Sequence, residues 1–462
     1  MSNFDLAVLG GGPGGYVAAI RGAQLGLKTC IIEKDKLGGI CLNWGCIPTK
    51  ALLKNAEVLH TVKNAHAYGI KLDKFSVDFS LNVKRSRDVS NRLSKGIEYL
   101  INKNRIAHFS GIGKLSSNTT INVTTKKTKK NISANKIIIA TGARPKTFSD
   151  IEFDGQKVIT SKDAMLIEKP PKKMIIIGSG AIGCEFASYF NEFGTEVHLV
   201  EMSDRILPIE DSDISKELQN NFKKFGINIY TKTRLTKIEK FKNKVKVHTS
   251  NNGKDTILEG EVALLALGVI GNVENIGLNK LDILTDNGSI IVNEYNQTNV
   301  HNIYAIGDVS GPPWLAHVAS AQGHVAVEHA FGNKAKPVDY SVVPACTYCY
   351  PQVGSLGLTE EKAISLGYEV KVGKFFFQAS GKAVAVGDTI GFVKLIFDTK
   401  YGELLGAHII GSSATELIAE LSIAKSLETT WEDIAMMVHA HPTLSEAIME
   451  AALDAFGTPI HQ

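Results

Sequence analysis

The sequence lacks the features of a membrane protein and of a small disulfide-stapled fold. No stretch approaches the roughly 20 consecutive apolar residues of a membrane-spanning helix, and we expect the longest apolar run, residues 262–270, to form a buried strand. Six cysteines among 462 residues do not indicate a framework of structural disulfides, because a chain of this length can bury a core without them. With 44% hydrophobic and 21% charged residues, the composition is typical of a soluble globular protein.

The chain also has little net charge. Its 51 Lys and Arg residues against 47 Asp and Glu residues leave a formal charge of +4, which is too weak to indicate nucleic acid as a partner. We interpret the densest basic run, which contains Lys126, Lys127, Lys129 and Lys130, as a solvated hairpin. We expect no secretory signal, because residues 4–9 have the pattern of a strand and the glycines after them would interrupt an apolar signal core. The expected location is therefore the cytoplasm, or an organelle matrix if a presequence has been removed.

Glycine is abundant, with 42 residues, and two glycine-rich turns share one pattern. A strand at residues 4–9 leads into the turn 10–15 and a helical stretch to Leu25. A strand at residues 174–177 leads into the turn 178–183 and a helical stretch to about Phe193. This strand, turn and helix order is typical of dinucleotide-binding sites. Two copies in one chain favour two different dinucleotides, which we expect to be FAD and a nicotinamide.

Each glycine of such a turn has a physical role. The first permits the tight turn, the second lets the backbone approach a pyrophosphate, and the third lets the helix pack closely on the strand. The N–H groups at the start of the helix then face the phosphates. In both copies an acid, Glu33 or Glu201, lies 18 residues after the third glycine and is expected to accept hydrogen bonds from ribose hydroxyls. Glu201 favours NAD over NADP, because a carboxylate repels a 2′-phosphate and a single arginine, Arg205, follows it closely.

Two short segments fit parts of a flavin site. The mostly apolar segment 136–140 is followed by Thr141 and Gly142, and the apolar segment 303–306 is followed by Gly307 and Asp308. Each segment by itself also fits an ordinary strand followed by a turn. Their place after the first glycine turn favours the flavin interpretation.

Cys41 and Cys46 form the informative cysteine pair. Pro48 and the apolar spacing after it predict a helix that runs on from this point, and the dipole at its N-terminus is expected to lower a thiol pKa. The alternative is a pair of small buried apolar residues. Cys346 and Cys349 fit a structural role better than a metal site, since no second cysteine or histidine pair has ligand spacing, and no metal is expected.

His441 and Glu446 are candidate acid–base groups. A thiol redox centre needs a base that takes and returns protons, and imidazole titrates in the required range. A carboxylate can orient such a ring. From residue types alone, a structural histidine remains the alternative. The surrounding region predicts a third domain, with antiparallel strands at 393–397 and 404–410 and helices at 414–427 and 445–455.

These motifs, in this order along nearly the whole chain, resemble those of the flavoprotein disulfide reductases, most specifically the dihydrolipoamide dehydrogenase branch. The resemblance rests on both glycine turns, on residues 41–50 (Cys-Leu-Asn-Trp-Gly-Cys-Ile-Pro-Thr-Lys), on Gly307-Asp308, on residues 315–317 and on residues 439–446. It implies an α/β fold with two Rossmann-like dinucleotide-binding domains and a C-terminal α+β dimerisation domain. The expected segments are 1–145 (FAD domain, first part), 146–271 (NAD domain), 272–340 (completing the FAD domain) and 341–462 (interface).

The resemblance also implies roles. Cys41 is expected to attack the lipoamide sulfur, and Cys46 to lie beside the flavin as the charge-transfer thiolate. His441, oriented by Glu446, is expected to be the acid–base group and to come from the other subunit of a homodimer. The FAD set is expected to be Gly10, Gly12, Gly14, Gly15, Glu33, Lys34, Lys50, Gly113, Thr141, Gly142, Ala143, Asp308, Leu315, Ala316 and His317. The NAD set is expected to be Gly178, Gly180, Ile182, Gly183, Glu185, Glu201, Leu235 and Gly268.

The implied activity is oxidation of protein-bound dihydrolipoamide with reduction of NAD⁺, as the flavoprotein of 2-oxo acid dehydrogenase or glycine cleavage complexes. The implied partners are a lipoyl domain and an acyltransferase core. Trp44 stands where many members have a smaller residue, and Ile40 stands where the family usually has Thr. A glutathione-type reductase is one alternative, although the basic residues for a 2′-phosphate are lacking. A binding role without turnover is the other, although Cys41, Cys46, His441 and Glu446 are all present.

Overall fold

The computed structural model describes residues 2–125, 128–148 and 151–461. The helices, in chain order, are α1 (Pro13–Gln24), α2 (Gly39–Trp44), α3 (Cys46–Lys63), α4 (Phe79–Lys103), α5 (Ser161–Ala164), α6 (Ala181–Glu192), α7 (Ser212–Lys224), α8 (Ala316–Ala330), α9 (Glu360–Ser365), α10 (Gly381–Val386), α11 (Ala414–Ser426), α12 (Trp431–Met436) and α13 (Glu446–Ala455).

The first fifteen strands are β1 (Ser2–Leu9), β2 (Thr29–Glu33), β3 (Ala107–Ser110), β4 (Ile112–Ser117), β5 (Thr120–Thr124), β6 (Lys129–Ile139), β7 (Ala143–Pro145), β8 (Val158–Ile159), β9 (Lys173–Ile177), β10 (Glu196–Val200), β11 (Asn228–Tyr230), β12 (Arg234–Lys240), β13 (Val245–Asn251), β14 (Lys254–Gly260) and β15 (Val262–Leu265). The rest are β16 (Val269–Gly271), β17 (Thr285–Asp286), β18 (Ser289–Ile290), β19 (Ile303–Ala305), β20 (Ala345–Thr347), β21 (Gln352–Gly357), β22 (Val370–Phe376), β23 (Gly391–Asp398) and β24 (Leu404–Gly411).

These elements form two compact units. Unit 1 comprises Met1–Leu52, Asp78–Thr147 and Gly268–Val338, and unit 2 comprises Leu53–Val77, Phe148–Leu267 and Asp339–Gln462. The four-segment division expected from the sequence stays a prediction.

A mostly parallel sheet forms the centre of unit 1. Its strands lie in the order β3-β2-β1-β6, with β19 also parallel to β6, and β5 and β4 continue it antiparallel. Residues of β1 alternate between two buried clusters, with Leu6 and Val8 in one and Ala7 and Leu9 in the other. Both faces are covered, which is why the strand has no polar alternation. Helix α1 begins at Pro13, earlier than the predicted Tyr16, because proline is favourable in the first helical turn.

Unit 2 contains a second parallel sheet and two antiparallel ones. The parallel order is β11-β10-β9-β15-β8, and the antiparallel sheets are β12-β13-β14 and β20-β21-β24-β23-β22. The strands and helices expected in the C-terminal region are confirmed as β23, β24, α11 and α13. The expected fold class is confirmed. Each unit has a parallel sheet with a glycine turn between a strand and a helix, and the C-terminal region has an antiparallel sheet with helices.

The apolar run 262–270 is not the single strand that we expected. It divides into β15, parallel to β9, and β16, antiparallel to β7. Gly268 between them has φ +89°, a left-handed conformation that turns the chain away from the first strand's direction.

The hairpin interpretation of the basic run holds where the structure describes it. Strands β5 and β6 pair antiparallel, with Thr124 opposite Lys129, while Lys126 and Lys127 lie outside the described residues. Over residues 2–125, 128–148 and 151–461, no helix is both long and apolar enough to cross a bilayer. The expected cytoplasmic or matrix location stays a prediction.

Candidate active site

The first glycine turn has the geometry that its spacing predicts. Gly10 follows β1 with φ +114°, and a Cβ there would lie 2.1 Å from the carbonyl oxygen of Ala140. A Cβ on Gly15 would lie 2.0 Å from the carbonyl oxygen of Gly10. Both positions therefore require glycine. Gly12 precedes α1 in an extended conformation, with no side chain capping the helix.

The second turn repeats this geometry in unit 2. A Cβ on Gly183 would lie 1.9 Å from the carbonyl oxygen of Gly178, whose φ is +97°. Gly180 is the extended residue before α6, and a Cβ there would meet nothing within 4 Å.

Both motif acids bind back to their own glycine turn. The Gly11 N–H donates to Glu33 Oε2 (2.6 Å), and the Asp35 N–H donates to Glu33 Oε1 (2.8 Å). In unit 2, the Ser179 N–H and hydroxyl donate to Glu201 Oε2 (2.9 and 2.8 Å), and the Ser203 N–H donates to Oε1. Burial by itself would raise the pKa of Glu201, but these hydrogen bonds outweigh burial and hold the pKa below its usual value.

The two turns fit a dinucleotide pyrophosphate. The first N–H groups of α1 and α6 have no acceptor within their own helix, and neither N-cap residue carries a capping side chain. The open space beside the Cα of Gly180 lets a phosphate approach the backbone closely. These helix ends therefore present free donors and the positive end of a dipole to an anion.

The two short segments lie together in unit 1. Residues Thr141 and Gly142 follow β6 and are held by Asn272, whose side chain donates to the Thr141 carbonyl (2.8 Å) and whose N–H donates to the Gly142 carbonyl (2.9 Å). The Gly307 N–H donates to Gln322 Oε1 (2.7 Å), and burial raises the pKa of the adjacent Asp308 carboxyl. The sequence interpretation missed Asn272 and Gln322, because lone amide residues carry no motif.

The remaining expected FAD residues lie at several places in unit 1. Gly14 is buried in α1, where a Cβ would lie 2.8 Å from the carbonyl oxygen of Ala319 in α8. Lys34 is exposed after β2, Gly113 is buried in β4, and Ala143 is buried at the start of β7. The N-terminus of α8 contains the last three, Leu315, Ala316 and His317.

The remaining expected NAD residues divide between the units. In unit 2, Ile182 is exposed on α6, buried Glu185 accepts the Tyr348 N–H (3.0 Å), and Leu235 packs against the core from β12. Gly268 belongs to unit 1, where its carbonyl accepts the Lys146 N–H.

Cys41 and Cys46 come together at a junction between two helices. Cys41 lies in α2 and is half-buried, Cys46 is the exposed first residue of α3, and neither sulfur is in a disulfide. A hydrogen bond with Cys46, together with burial, raises the pKa of the Cys41 thiol, and the positive charge of Lys50 opposes this. The pKa lowering predicted for a thiol at the start of the second helix stays a prediction, because Cys41 lies in α2 and not at the start of α3.

His441 and Glu446 are paired as the sequence suggested. His441 Nδ1 lies 2.9 Å from Glu446 Oε1, and the Thr443 N–H donates to Glu446 Oε2 (2.8 Å). These contacts with Thr443 and His441 hold the pKa of the Glu446 carboxyl below its usual value. The imidazole is 79% exposed, so Nε2 remains accessible to a substrate while Nδ1 is oriented by the carboxylate.

The other cysteines have different surroundings. Cys30 and Cys184 are fully buried in β2 and α6, and burial raises the pKa of the Cys30 thiol to about 12. Cys346 is half-buried, and buried Cys349 donates to the Pro351 carbonyl (3.2 Å). Within the part of the chain that the structure describes, no three His, Cys, Asp or Glu side chains are grouped to hold a metal ion.

Comparison with known proteins identifies two matching family models. Residues 4–323 match the model described as pyridine nucleotide-disulphide oxidoreductase, and residues 343–452 match the dimerisation domain of the same name. Dihydrolipoyl dehydrogenase of Zymomonas mobilis is 48% identical over 99% of both chains. Dihydrolipoyl dehydrogenase of Bacillus subtilis is 43% identical over 100% of this chain and 99% of its own.

Solved structures show the same architecture. LpdA from Mycobacterium tuberculosis superimposes with a TM-score of 0.91 at 25% identity, over 98% of this chain and 99% of its own. The HOCl-induced flavoprotein disulfide reductase RclA from Escherichia coli, in its Cu(II) complex, superimposes with a TM-score of 0.89 at 25% identity over the same shares.

Proposed function

Because the chain belongs to the pyridine nucleotide-disulphide oxidoreductases, and within them to the dihydrolipoyl dehydrogenases, we infer that it oxidises dihydrolipoamide to lipoamide and reduces NAD⁺ to NADH. It is a flavoprotein disulfide oxidoreductase that uses FAD and NAD. The observation that carries the inference is the hydrogen-bonded pair of Cys41 and Cys46 in a chain with two dinucleotide-binding turns.

The turn of Gly10, Gly12 and Gly15 with Glu33 would hold FAD, and the turn of Gly178, Gly180 and Gly183 with Glu201 would hold NAD. When bound, FAD accepts two electrons from the reduced cysteine pair and NAD⁺ carries them away as hydride. Asp308, whose pKa is raised by burial, would form a hydrogen bond with the flavin's polar chain.

The thiol steps follow from disulfide exchange. One thiolate of dihydrolipoamide attacks Cys41 Sγ of the Cys41–Cys46 disulfide, so that this bond breaks, Cys46 leaves as a thiolate and a mixed disulfide joins substrate to Cys41. The second substrate sulfur then attacks the first, which closes the lipoamide ring and releases Cys41. Two electrons and two protons leave the substrate, and both cysteines are reduced.

His441 would take the proton from the attacking substrate thiol and stabilise its positive charge against Glu446. The paired Nδ1 keeps the ring in one orientation, which leaves Nε2 for the substrate. In the homodimer that the dimerisation domain supports, His441 of one subunit would serve the cysteine pair of the other.

Glu201 supports NAD rather than NADP. Its carboxylate is fixed beside the second glycine turn by Ser179 and Ser203, and its lowered pKa keeps it charged. The 2′-phosphate of NADP, which takes the place of a ribose hydroxyl of NAD, would be repelled by this negative charge. The relatives named dihydrolipoyl dehydrogenase disfavour the glutathione-type alternative. We propose a lipoyl domain as the carrier of the substrate and an acyltransferase core as the docking partner.

The assignment of Cys41 as the attacking thiol can be tested by trapping. In Cys46→Ser, Cys41 should open lipoamide to a mixed disulfide, and alkylation of the freed lipoyl sulfur should fix the adduct for peptide mass spectrometry. FAD should stay bound, and lipoamide turnover should be abolished. Cys41→Ser is the matched control and should trap little adduct at Cys46. Equal trapping in both variants, or turnover by Cys46→Ser, would contradict the assignment.

A further inference from the structure

Helix geometry sets a condition on the redox pair. In one continuous α-helix, residues five apart have Cα atoms about 8.6 Å apart, whereas a disulfide requires less than about 7 Å. The chain avoids this by ending α2 at Trp44 and beginning α3 at Cys46. Gly45 between them has φ −150° and ψ −111°, which are not helical values. The interruption at Gly45 is therefore required for Cys41 and Cys46 to bond.

An arginine on α4 contacts both residues that precede this interruption. Arg87 Nη1 donates to the Asn43 carbonyl (2.6 Å), and the guanidinium lies over the Trp44 ring at 4.8 Å from its centroid. Its Nη2 donates to Ser90 Oγ (3.2 Å) on the same helix. All of these residues belong to unit 1.

The Asn43 carbonyl is one of the last four of α2 and has no acceptor role inside that helix. A cation at the C-terminus of a helix also interacts favourably with the negative end of the helix dipole. The Asn43 side chain is buried and donates to the Leu37 and Gly39 carbonyls (3.1 and 3.0 Å). Arg87 thus holds the last turn of α2 in place through a charge-assisted hydrogen bond to Asn43 and a cation–π contact with Trp44.

We propose that Arg87 is a positioning residue for the redox pair. By holding the Asn43 carbonyl and the Trp44 ring, it keeps α2 from merging with α3 and keeps the two sulfur atoms where they can bond. The pre-organised pair loses less conformational freedom when the disulfide forms, so Arg87 stabilises the oxidised state. This inference rests on the proposed redox role of Cys41 and Cys46.

The test is an exchange equilibrium, measured on the FAD-bound enzyme without nicotinamide and without oxygen. Two cysteine thiols and lipoamide give the Cys41–Cys46 disulfide and dihydrolipoamide, so the equation balances without another oxidant. Mixtures of lipoamide and dihydrolipoamide are acid-quenched, free thiols are alkylated, and the oxidised fraction is read by peptide mass spectrometry. In Arg87→Met we expect the equilibrium constant for disulfide formation to fall about tenfold, which is about 30 mV.

Arg85 supplies a matched control. It lies on the same helix and its Nη1 donates to the Ala51 carbonyl (2.9 Å), which lies within α3 beyond the cysteines. Arg85→Met should change the constant less than twofold. Arg87→Lys should give an intermediate loss, because lysine keeps the charge and lacks the planar group that stacks on Trp44.

The outcomes separate the inference from the function on which it rests. A folded, FAD-bound Arg87→Met with the wild-type constant would overturn the positioning role. If Arg87→Met does not fold, Arg87→Lys and Trp44→Val decide, since both remove the stacking contact, and wild-type constants in both would overturn it. If the wild type forms no Cys41–Cys46 disulfide in any mixture, the proposed function itself fails.

Discussion

Paired side chains hold the reactive groups of both units in place. Glu446 orients His441 in unit 2, while Lys50 and Cys46 act in opposite directions on the pKa of Cys41 in unit 1. Tyr16 is a further neighbour of the thiols, and burial together with the Cys41 charge raises the pKa of its phenol. Such groups set which atoms hold protons before a substrate arrives.

His441→Gln should lower the lipoamide-dependent activity much more than the oxidation of NADH by artificial electron acceptors. Glutamine cannot take a proton from the substrate thiol, so lipoamide-dependent rates should fall by two orders of magnitude or more, in line with about 10²–10⁴ for a general base. Oxidation of NADH by artificial electron acceptors should continue at nearly the wild-type rate, because it bypasses the thiols. Steady-state assays of both reactions provide the comparison, and equal losses in the two would indicate a structural histidine.

The residues found from the sequence were those with fixed spacing. Glu33, Glu201, Cys41 and Cys46 lie at set distances within their motifs, and His441 and Glu446 lie within one short block. Asn272 contacts Thr141, and Arg87 contacts Asn43 between the two cysteines, each from more than 40 residues away along the chain. Nothing in one sequence marks such a contact, because it is made only when the chain folds.

The break between α2 and α3 and the long helix α4 are elements that the sequence pattern did not predict. The sequence predicted a helix that runs on from Pro48, but not the separate helix α2 before it or the break at Gly45. Helix α4 turns a row of serines inward, with Ser86, Ser90 and Ser94 all buried. Because apolar periodicity is the primary signal of a buried helix face, a buried serine row conceals both the helix and its contact with the redox segment.

The second glycine turn allows steric and binding roles to be separated. Gly183→Ala places a Cβ only 1.9 Å from the carbonyl oxygen of Gly178. Because this contact is too short, we expect lower thermal stability. Gly180→Ala adds a Cβ in open space at an ordinary φ of −67°, so the melting temperature should stay within about 1 °C. Its KM for NAD⁺ should rise at least tenfold, because the methyl group would stand where the pyrophosphate approaches.

Melting curves and NAD⁺ titrations of both variants test this assignment. An unchanged KM in Gly180→Ala would contradict the placement of NAD at this turn. Unchanged stability in Gly183→Ala would show that the helix and strand can separate slightly without cost.

For the molecule as a whole, one buried carboxyl predicts how stability depends on pH. Burial raises the pKa of Glu210 to about 7, although a hydrogen bond with Ser355 opposes it. The folded pKa lies above the unfolded value of about 4.5, so the folded state binds this proton more tightly. Its contribution to stability is full below pH 4.5 and is lost as pH rises through 7.

Glu210→Gln should therefore stabilise the protein at pH 8 relative to wild type, on the order of 1–3 kcal/mol, and change it little at pH 5. Thermal unfolding at the two pH values measures the difference. Glu168→Gln, at an exposed position of the same unit, is the control and should show no pH-dependent gain. A gain of equal size at both pH values would contradict the buried-carboxyl account.

We infer that one chain carries electrons from dihydrolipoamide through a cysteine pair to NAD⁺. The most direct measurement is the initial rate of NAD⁺ reduction by dihydrolipoamide with the purified FAD-bound protein, with NADP⁺ in a parallel assay. We predict rapid reduction of NAD⁺ and little reduction of NADP⁺, because Glu201 stands where a 2′-phosphate would lie. No reduction of either nucleotide by a protein that holds FAD would contradict the claim.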